Sequence, residues 1–272
     1  MNETSAELNG VIERGLVLLG CGKMGSAMLA GWLARGVPPG SVHVIDPAPS
    51  DWLRQTGVSL SAELPETPAV LLIAVKPQMM QAALPRVVQF GAGETVVLSV
   101  AAGTGLAAYE AAFGADTPIV RAMPNTPAAV GRGITALVGN RAAGEPGLRL
   151  AEALLSAVGA TVRLASEDHM DAVTGLSGSG PAYVFHLVEA MAAAGEAQGL
   201  APDLAMALAR ATVSGAGALL DTSDESAAQL RQNVTSPNGT TAAGLAVLMQ
   251  ELPDMMARTV GAAADRSREL GA

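Results

Sequence analysis

The tightest constraint on what this chain can fold into is a run of six residues, Gly20, Cys21, Gly22, Lys23, Met24 and Gly25. The run has the spacing G-x-G-x-x-G, and its flanks matter more than the spacing. The apolar residues 15–19 (GLVLL) before it read as a buried strand, and residues 26–35 (SAMLAGWLAR) after it read as a helix. At such a junction the first glycine permits a tight turn, the second lets backbone approach a pyrophosphate, and the third lets helix and strand pack closely. The helix start then offers free N–H groups to a phosphate anion. With 31 glycines in the chain, a chance match somewhere is easy. A match between the first strand and the first helix is not, and the reading is a dinucleotide-binding domain.

The rest of the N-terminal part agrees. Residues 42–45, 69–75 and 95–100 are short apolar, β-branched runs separated by helical patterns, with weaker strand candidates at 119–123 and 134–138. Continuous apolar strands between helices indicate a parallel sheet covered on both faces, the doubly wound α/β pattern. From residue 167 onward the strand-like runs vanish and alanine, leucine and methionine dominate. These stretches read as helices ended by Gly199, Pro202 and Pro253. The expected organisation is a loose polar tail over 1–14, a Rossmann-type domain over 15–165 and an all-helical domain over 166–272. Two of the helices are apolar nearly all round, and about a hundred residues are few to bury them alone. The helical part is therefore expected to pack against a second copy of itself.

Composition removes other classes. Sixteen Lys+Arg against 25 Asp+Glu give a net charge of −9, which repels phosphate backbones and argues against nucleic-acid binding. A single cysteine, Cys21, excludes an intrachain disulfide and a multi-cysteine zinc site, and the three histidines fit no metal-ligand spacing. Half the residues are apolar, but no signal peptide or transmembrane span is evident, so the expectation is a cytoplasmic protein without a membrane partner.

Further residues refine the nucleotide reading. Asp46 ends the run VHVID, 21 residues past Gly25, where an acidic side chain bonds a ribose hydroxyl and repels a 2′-phosphate. That favours NADH over NADPH, although Asp46-Pro47 is also a common turn start. The chain's two lysines, Lys23 and Lys76, both lie at loop positions, Lys76 in Ala74-Val75-Lys76-Pro77 after a strand. Two polar islands, 174–181 and 233–241, each lead straight into a helix, and their serines and threonines either cap it or cradle a small carboxylate.

Taken together these segments resemble the pyrroline-5-carboxylate reductase family. The resemblance runs from Gly15 into the C-terminal helix. It rests on the glycine run, on Ala74-Val75-Lys76-Pro77, on Ser99-Val100-Ala101-Ala102-Gly103, on Arg121-Ala122-Met123-Pro124-Asn125-Thr126-Pro127, on DAVTGLSGSGPAY from Asp171 to Tyr183, and on residues 233–241. The family usually has Gly-Gly where this chain has Asn238-Gly239; asparagine tolerates left-handed backbone, so the loop shape should survive. Asp46 departs from members that bind NADPH with a polar or basic residue there.

The resemblance implies a Rossmann domain followed by a helical dimerisation domain, in dimers that assemble further, often into decamers. The active site would lie between the dinucleotide domain of one chain and the helical domain of its partner. It implies reduction of 1-pyrroline-5-carboxylate to L-proline with NADPH or NADH. Carried over position by position, Thr241 would bond the ring nitrogen, and the amides around Gly239, Thr240 and Thr241, with Ser236, would hold the carboxylate. Glu167 would lie near the substrate and Asn233 would touch the cofactor. Ala74, Val75, Lys76, Pro77, Ala101 and Ala102 would line the dinucleotide, with Asn125 and Thr126 close by. A β-hydroxyacid dehydrogenase shares the plan, but its lysine and asparagine places are Val184 and Val188 here, and valine moves no proton. A non-catalytic dinucleotide sensor would need no second polar island.

Overall fold

The computed structural model describes residues 3–60 and 63–271. Seven strands form one sheet: β1 (Leu16–Leu19), β2 (Val42–Ile45), β3 (Val70–Ile73), β4 (Val96–Ser99), β5 (Ile119–Met123), β6 (Gly133–Gly139) and β7 (Gly159–Arg163). The helices are α1 (Glu3–Arg14), α2 (Lys23–Ala34), α3 (Asp51–Gln55), α4 (Met80–Ala83), α5 (Leu106–Phe113), α6 (Gly144–Leu155), α7 (Met170–Val173), α8 (Gly180–Ala197), α9 (Pro202–Thr222), α10 (Ala227–Asn233) and α11 (Thr240–Gly271). The chain divides into two compact units, one running to Gly178 and taking in the residues from Ala263, the other Ser179–Ala262.

In the first unit the strand order is β2-β1-β3-β4-β5-β6-β7. Beyond β2, Ser59 makes a single parallel bridge to His43, a one-residue trace of a further outer strand. Alternate residues of each strand feed opposite faces. Leu16, Leu18, Val70, Leu72 and Leu98 join Met28, Leu29, Trp32 and Leu154 on one side. Val17, Leu19, Leu71, Ile73 and Val97 join Tyr109, Phe113 and Met170 on the other. This is why the central strands carry no polar alternation: both pleat faces are dry. The Trp32 indole N–H donates to the Leu154 carbonyl at 2.9 Å, which satisfies the one polar atom of a fully buried ring.

Several sequence expectations need correction. The sheet is not wholly parallel, since β6 runs antiparallel to β5. Only residues 124–132 join those two strands, and a parallel return needs a longer crossover. Strand β7 had no clear signal because it is an edge strand of mixed residues (GATVR), mostly exposed.

The segment expected as a loose tail contains α1. Its Val11 is fully buried against the sheet core, Leu8 packs beside it, and Arg14 donates to the carbonyls of Thr67 and Pro68. Leu8 and Val11 stand three apart, enough for one apolar strip on an otherwise polar helix.

The break between units falls after Gly178 rather than near 165, because Met170 is buried in the sheet core and Asp171 accepts from Ser267 at 2.6 Å. Pro202 opens α9 rather than closing a helix, as suits a residue whose missing N–H has no partner at a first turn. Pro253 lies inside α11, which continues past it. Gly199 does follow the end of α8, at φ +95°.

In the second unit α8 and α9 pack through Ala192, Ala205 and Ala209, small residues that bring the backbones close. Phe185, Leu187, Leu204, Leu208, Leu219 and Leu220 on the same two helices stay exposed in the single chain. By length and composition α9 is apolar enough to cross a membrane, although Asp203, Arg210 and Asp221 interrupt it.

Truncating Val11 to Ala should lower the unfolding free energy by about 1.5–3 kcal/mol, the loss for a buried branched side chain plus the space it leaves. Urea denaturation reads this directly, and an unchanged midpoint would return residues 3–14 to the status of a loose tail.

Candidate functional site

The glycine run sits at the carboxyl end of β1, which has β2 on one side and β3 on the other. Strand order reverses there, and open α/β sheets take ligands in that crevice. Each glycine has its own geometry. Gly20 adopts φ +90°, and a Cβ there would stand 2.8 Å from Val75 Cγ1 and 3.1 Å from the Ala74 carbonyl carbon. A Cβ on Gly25 would collide with the Gly20 carbonyl oxygen. At Gly22 a Cβ would meet nothing within 4 Å, so this glycine leaves room for something outside the chain.

Gly22 is also the N-cap of α2, and no side chain caps that helix. Its first-turn N–H groups therefore remain available to an anion. The open groove above measures about 520 Å³ and is lined by Cys21, Gly22, Lys23, Ser26, Ser50 and Trp52, among others. An uncapped helix start, a glycine with vacant space at its Cβ position and an open groove fit a bound pyrophosphate.

Asp46 clasps the loop. Its Oδ2 accepts the Cys21 N–H at 2.7 Å and its Oδ1 accepts the Ala48 N–H at 2.8 Å. The carboxylate is thus held at the end of β2, and the residues that follow, Pro47, Ala48, Pro49 and Ser50, bring no positive charge. Burial, and after it the Asp46 charge, push the Cys21 thiol up to about 11, so it stays protonated at neutral pH and is no nucleophile.

Ala74 continues from β3, its N–H bonded to the Leu19 carbonyl at 2.8 Å, and Lys76 and Pro77 turn outward, exposed. Ala101 and Ala102 follow β4, with the Ala101 N–H donating to Ser99 Oγ at 3.2 Å. Asn125 is fixed by two bonds, accepting from the Ile134 N–H at 3.0 Å and donating to Ser177 Oγ at 3.3 Å. Ser177 belongs to a π-helical stretch, Thr174–Gly178, whose glycines the sequence displayed without revealing that geometry.

Glu167 does not stand free. Its Oε1 pairs with Arg121 Nη1 at 2.6 Å and also accepts the Leu106 N–H at 2.9 Å. Its partner Arg121, and the Ser99–Tyr109 pair on the neighbouring strand and helix, are not individually legible as site residues. Their one visible signal is the arginine inside the otherwise apolar strand IVRAM.

The second polar island lies in the other unit. Asn238 adopts φ +58°, the left-handed geometry asparagine was expected to tolerate. Gly239 closes the turn, its N–H bonded to the Ser236 carbonyl at 3.0 Å, and a Cβ there would collide with Ser236 Oγ. Helix α11 starts immediately after, so Thr240 and Thr241 form its first turn, both exposed. Asn233 closes α10, its amide accepting from Gln229 and donating to Glu225, each at 2.8 Å. The first unit therefore gathers the glycine run, Asp46, Ala74–Pro77, Ala101, Ala102 and Glu167, and the second gathers Asn233, Ser236, Gly239, Thr240 and Thr241.

A doubly wound sheet with a glycine run at its switch point, followed by a helical unit, defines a dinucleotide-dependent oxidoreductase plan. A family profile for pyrroline-5-carboxylate reductase dimerisation matches residues 167–270, and one for NADP oxidoreductase, coenzyme F420-dependent, matches 15–103. A pyrroline-5-carboxylate reductase of Synechocystis is 42% identical over 94% of this chain and 98% of its own length, and one of Arabidopsis thaliana is 38% identical over 93% and 94%. Among solved structures, a pyrroline-5-carboxylate reductase from Coxiella burnetii superposes with a TM-score of 0.90 at 32% identity, covering 95% of this chain and 99% of its own. The NADP-bound pyrroline carboxylate reductase of Plasmodium falciparum gives 0.81 at 27% identity, covering 95% and 98%. The chain belongs to the pyrroline-5-carboxylate reductase family.

The glycine geometry separates two substitutions. Gly25→Ala should lower the melting temperature by several degrees because backbone must move, whereas Gly22→Ala should cost only the smaller preference of an N-cap for glycine over alanine. Thermal denaturation of both variants checks this, and equal melting temperatures would contradict it.

Proposed function

We propose that this chain reduces 1-pyrroline-5-carboxylate to L-proline with NADH or NADPH, as the last step of proline biosynthesis. The observation that carries the reading is the left-handed turn at Asn238 and Gly239. It presents Thr240 and Thr241 at the start of a long helix, in a chain that also keeps the uncapped glycine-loop helix. A sensor of dinucleotides would need only the second of these.

Residues Gly20, Cys21, Gly22, Lys23, Met24 and Gly25 hold the pyrophosphate through backbone N–H groups and the dipole of α2. Asp46 takes a ribose hydroxyl with lone pairs that its two backbone bonds leave spare. Ala74, Val75, Lys76, Pro77, Ala101 and Ala102 line the dinucleotide, and Asn233 touches it. When bound, the reduced nicotinamide supplies the hydride for the C=N carbon. The chain's own task is geometry and charge. The amides around Gly239, Thr240 and Thr241, with Ser236, hold the substrate carboxylate at a helix N-terminus. Thr241 bonds the ring nitrogen and keeps it placed as it gains electron density. Glu167, which the resemblance puts near the substrate, has one oxygen already committed to Arg121 and Leu106.

The working unit is a homodimer at least, because the apolar faces of α8 and α9 are bare in one chain. Assembly to a decamer, a cytoplasmic location, and the absence of nucleic-acid and membrane partners complete the proposal.

Absorbance at 340 nm with racemic 1-pyrroline-5-carboxylate tests the activity. NADH should be consumed with a higher kcat/KM than NADPH, because a fixed carboxylate at Asp46 opposes a 2′-phosphate. No consumption of either cofactor by folded protein would leave the sensor reading. Thr241→Ala should lower kcat/KM by about tenfold or more, roughly 1.4 kcal/mol of transition-state stabilisation. Unchanged kinetics would remove Thr241 from the reaction.

A further inference from the structure

Residues 100–105 join β4 to α5 at the carboxyl edge of the sheet, one strand over from the Lys76 turn, and carry Ala101 and Ala102. They belong to no strand or helix, so no regular ladder fixes their height. What fixes them is a buried polar set below. Ser99, fully buried at the end of β4, has its Oγ 2.5 Å from Tyr109 Oη and accepts the Ala101 N–H at 3.2 Å. Tyr109 is fully buried in α5, the helix that the loop leads into. At the loop's far end a single oxygen of Glu167 takes both the Leu106 N–H, the first amide of α5, and Arg121 Nη1.

Arg121 is 8% exposed in the middle of the apolar face. An ion pair in such a place is a poor source of stability, because well-packed apolar side chains of the same volume often do as well or better. A purely structural role accounts badly for it. What distinguishes this set is where its bonds end: on Ala101 and Leu106, within and just after one loop.

We propose that Ser99, Tyr109, Arg121 and Glu167 are positioning residues that hold loop 100–105 in place as the floor on which the nicotinamide end of the dinucleotide rests. Glu167 therefore acts through the loop, not by touching the substrate. The clamp stands on the contacts themselves; its effect on turnover rests on the proposed imine reduction, and the experiment separates the two.

Three variants suffice: Glu167→Ala, Glu167→Gln and Tyr109→Phe. In Glu167→Ala, amide hydrogen exchange across 100–106 should rise about tenfold or more while the glycine loop keeps its protection. The Kd for NADH, followed by its fluorescence, should stay within about twofold, and kcat should fall about fivefold or more with the KM for the imine little changed. Glu167→Gln keeps an oxygen for both donors and should restore exchange and kcat to within about twofold of the parent. Unchanged exchange in Glu167→Ala would overturn the clamp. A glutamine variant as impaired as the alanine one, with a raised KM for the imine, would overturn the indirect role and make Glu167 a substrate contact. Should Glu167→Ala fail to fold, Tyr109→Phe decides by the same readouts: faster loop exchange supports the clamp and unaltered exchange overturns it. If the parent turns nothing over, the exchange arm still judges the clamp while the functional reading fails by itself.

Discussion

The structure depends on how closely three backbones meet at the end of β1. Gly20 turns the chain out of the sheet against Ala74 and Val75, and the first turn of α2 folds back so that Gly25 rests on the Gly20 carbonyl. No side chain larger than hydrogen fits in that stack without moving backbone. The consequence is a helix that begins at the sheet's switch point with no side chain across its N-terminus. The uncapped helix start is therefore not an addition to the fold. It is what remains when β1, β3 and α2 are packed as tightly as these glycines allow. Asp46 adds a second constraint, tying the loop back to the end of β2 through the Cys21 amide.

Where both faces of a strand are buried, the sequence is continuous in apolar residues, and β1, β3 and β4 were legible for that reason, whereas β5, interrupted by Arg121, was a weaker candidate. Where one face or an edge is wet, the signal weakens. Strand β7 reads GATVR and looks like a connection, and helix α1 packs Leu8 and Val11 against the core while Ile12 stays exposed. Strand direction is a tertiary property, which is why the antiparallel return of β6 could be known only from the length of its connection. Pro253 illustrates the same limit. A proline costs one helical hydrogen bond and some crowding, and a helix as long as α11 carries that loss within it.

The candidate site residues are visible in the sequence by type and spacing, as a glycine run and as clustered hydroxyls before helices. Their bonding is not. Nothing in the sequence says that Asp46 spends two bonds on backbone amides, or that Glu167 meets Arg121 46 residues away. Those contacts change what the residues can do. A clasped Asp46 is held at the end of β2 by two backbone amides, and a paired Glu167 becomes part of the wall that orients its neighbours. The helical unit carries a left-handed asparagine, a crowded glycine and two threonines at the start of α11, and α8 and α9 have apolar faces that one chain leaves bare.

The central claim is that hydride passes to the imine carbon of a five-membered ring, and isotope transfer tests it most directly. The protein would be supplied with NADH deuterated at the transferred position of nicotinamide C4 and with 1-pyrroline-5-carboxylate, and the product examined by mass spectrometry and proton NMR. The account predicts L-proline carrying one deuterium at C5. Oxidation of the cofactor without deuterium at that carbon, or deuterium at any other carbon, would contradict it.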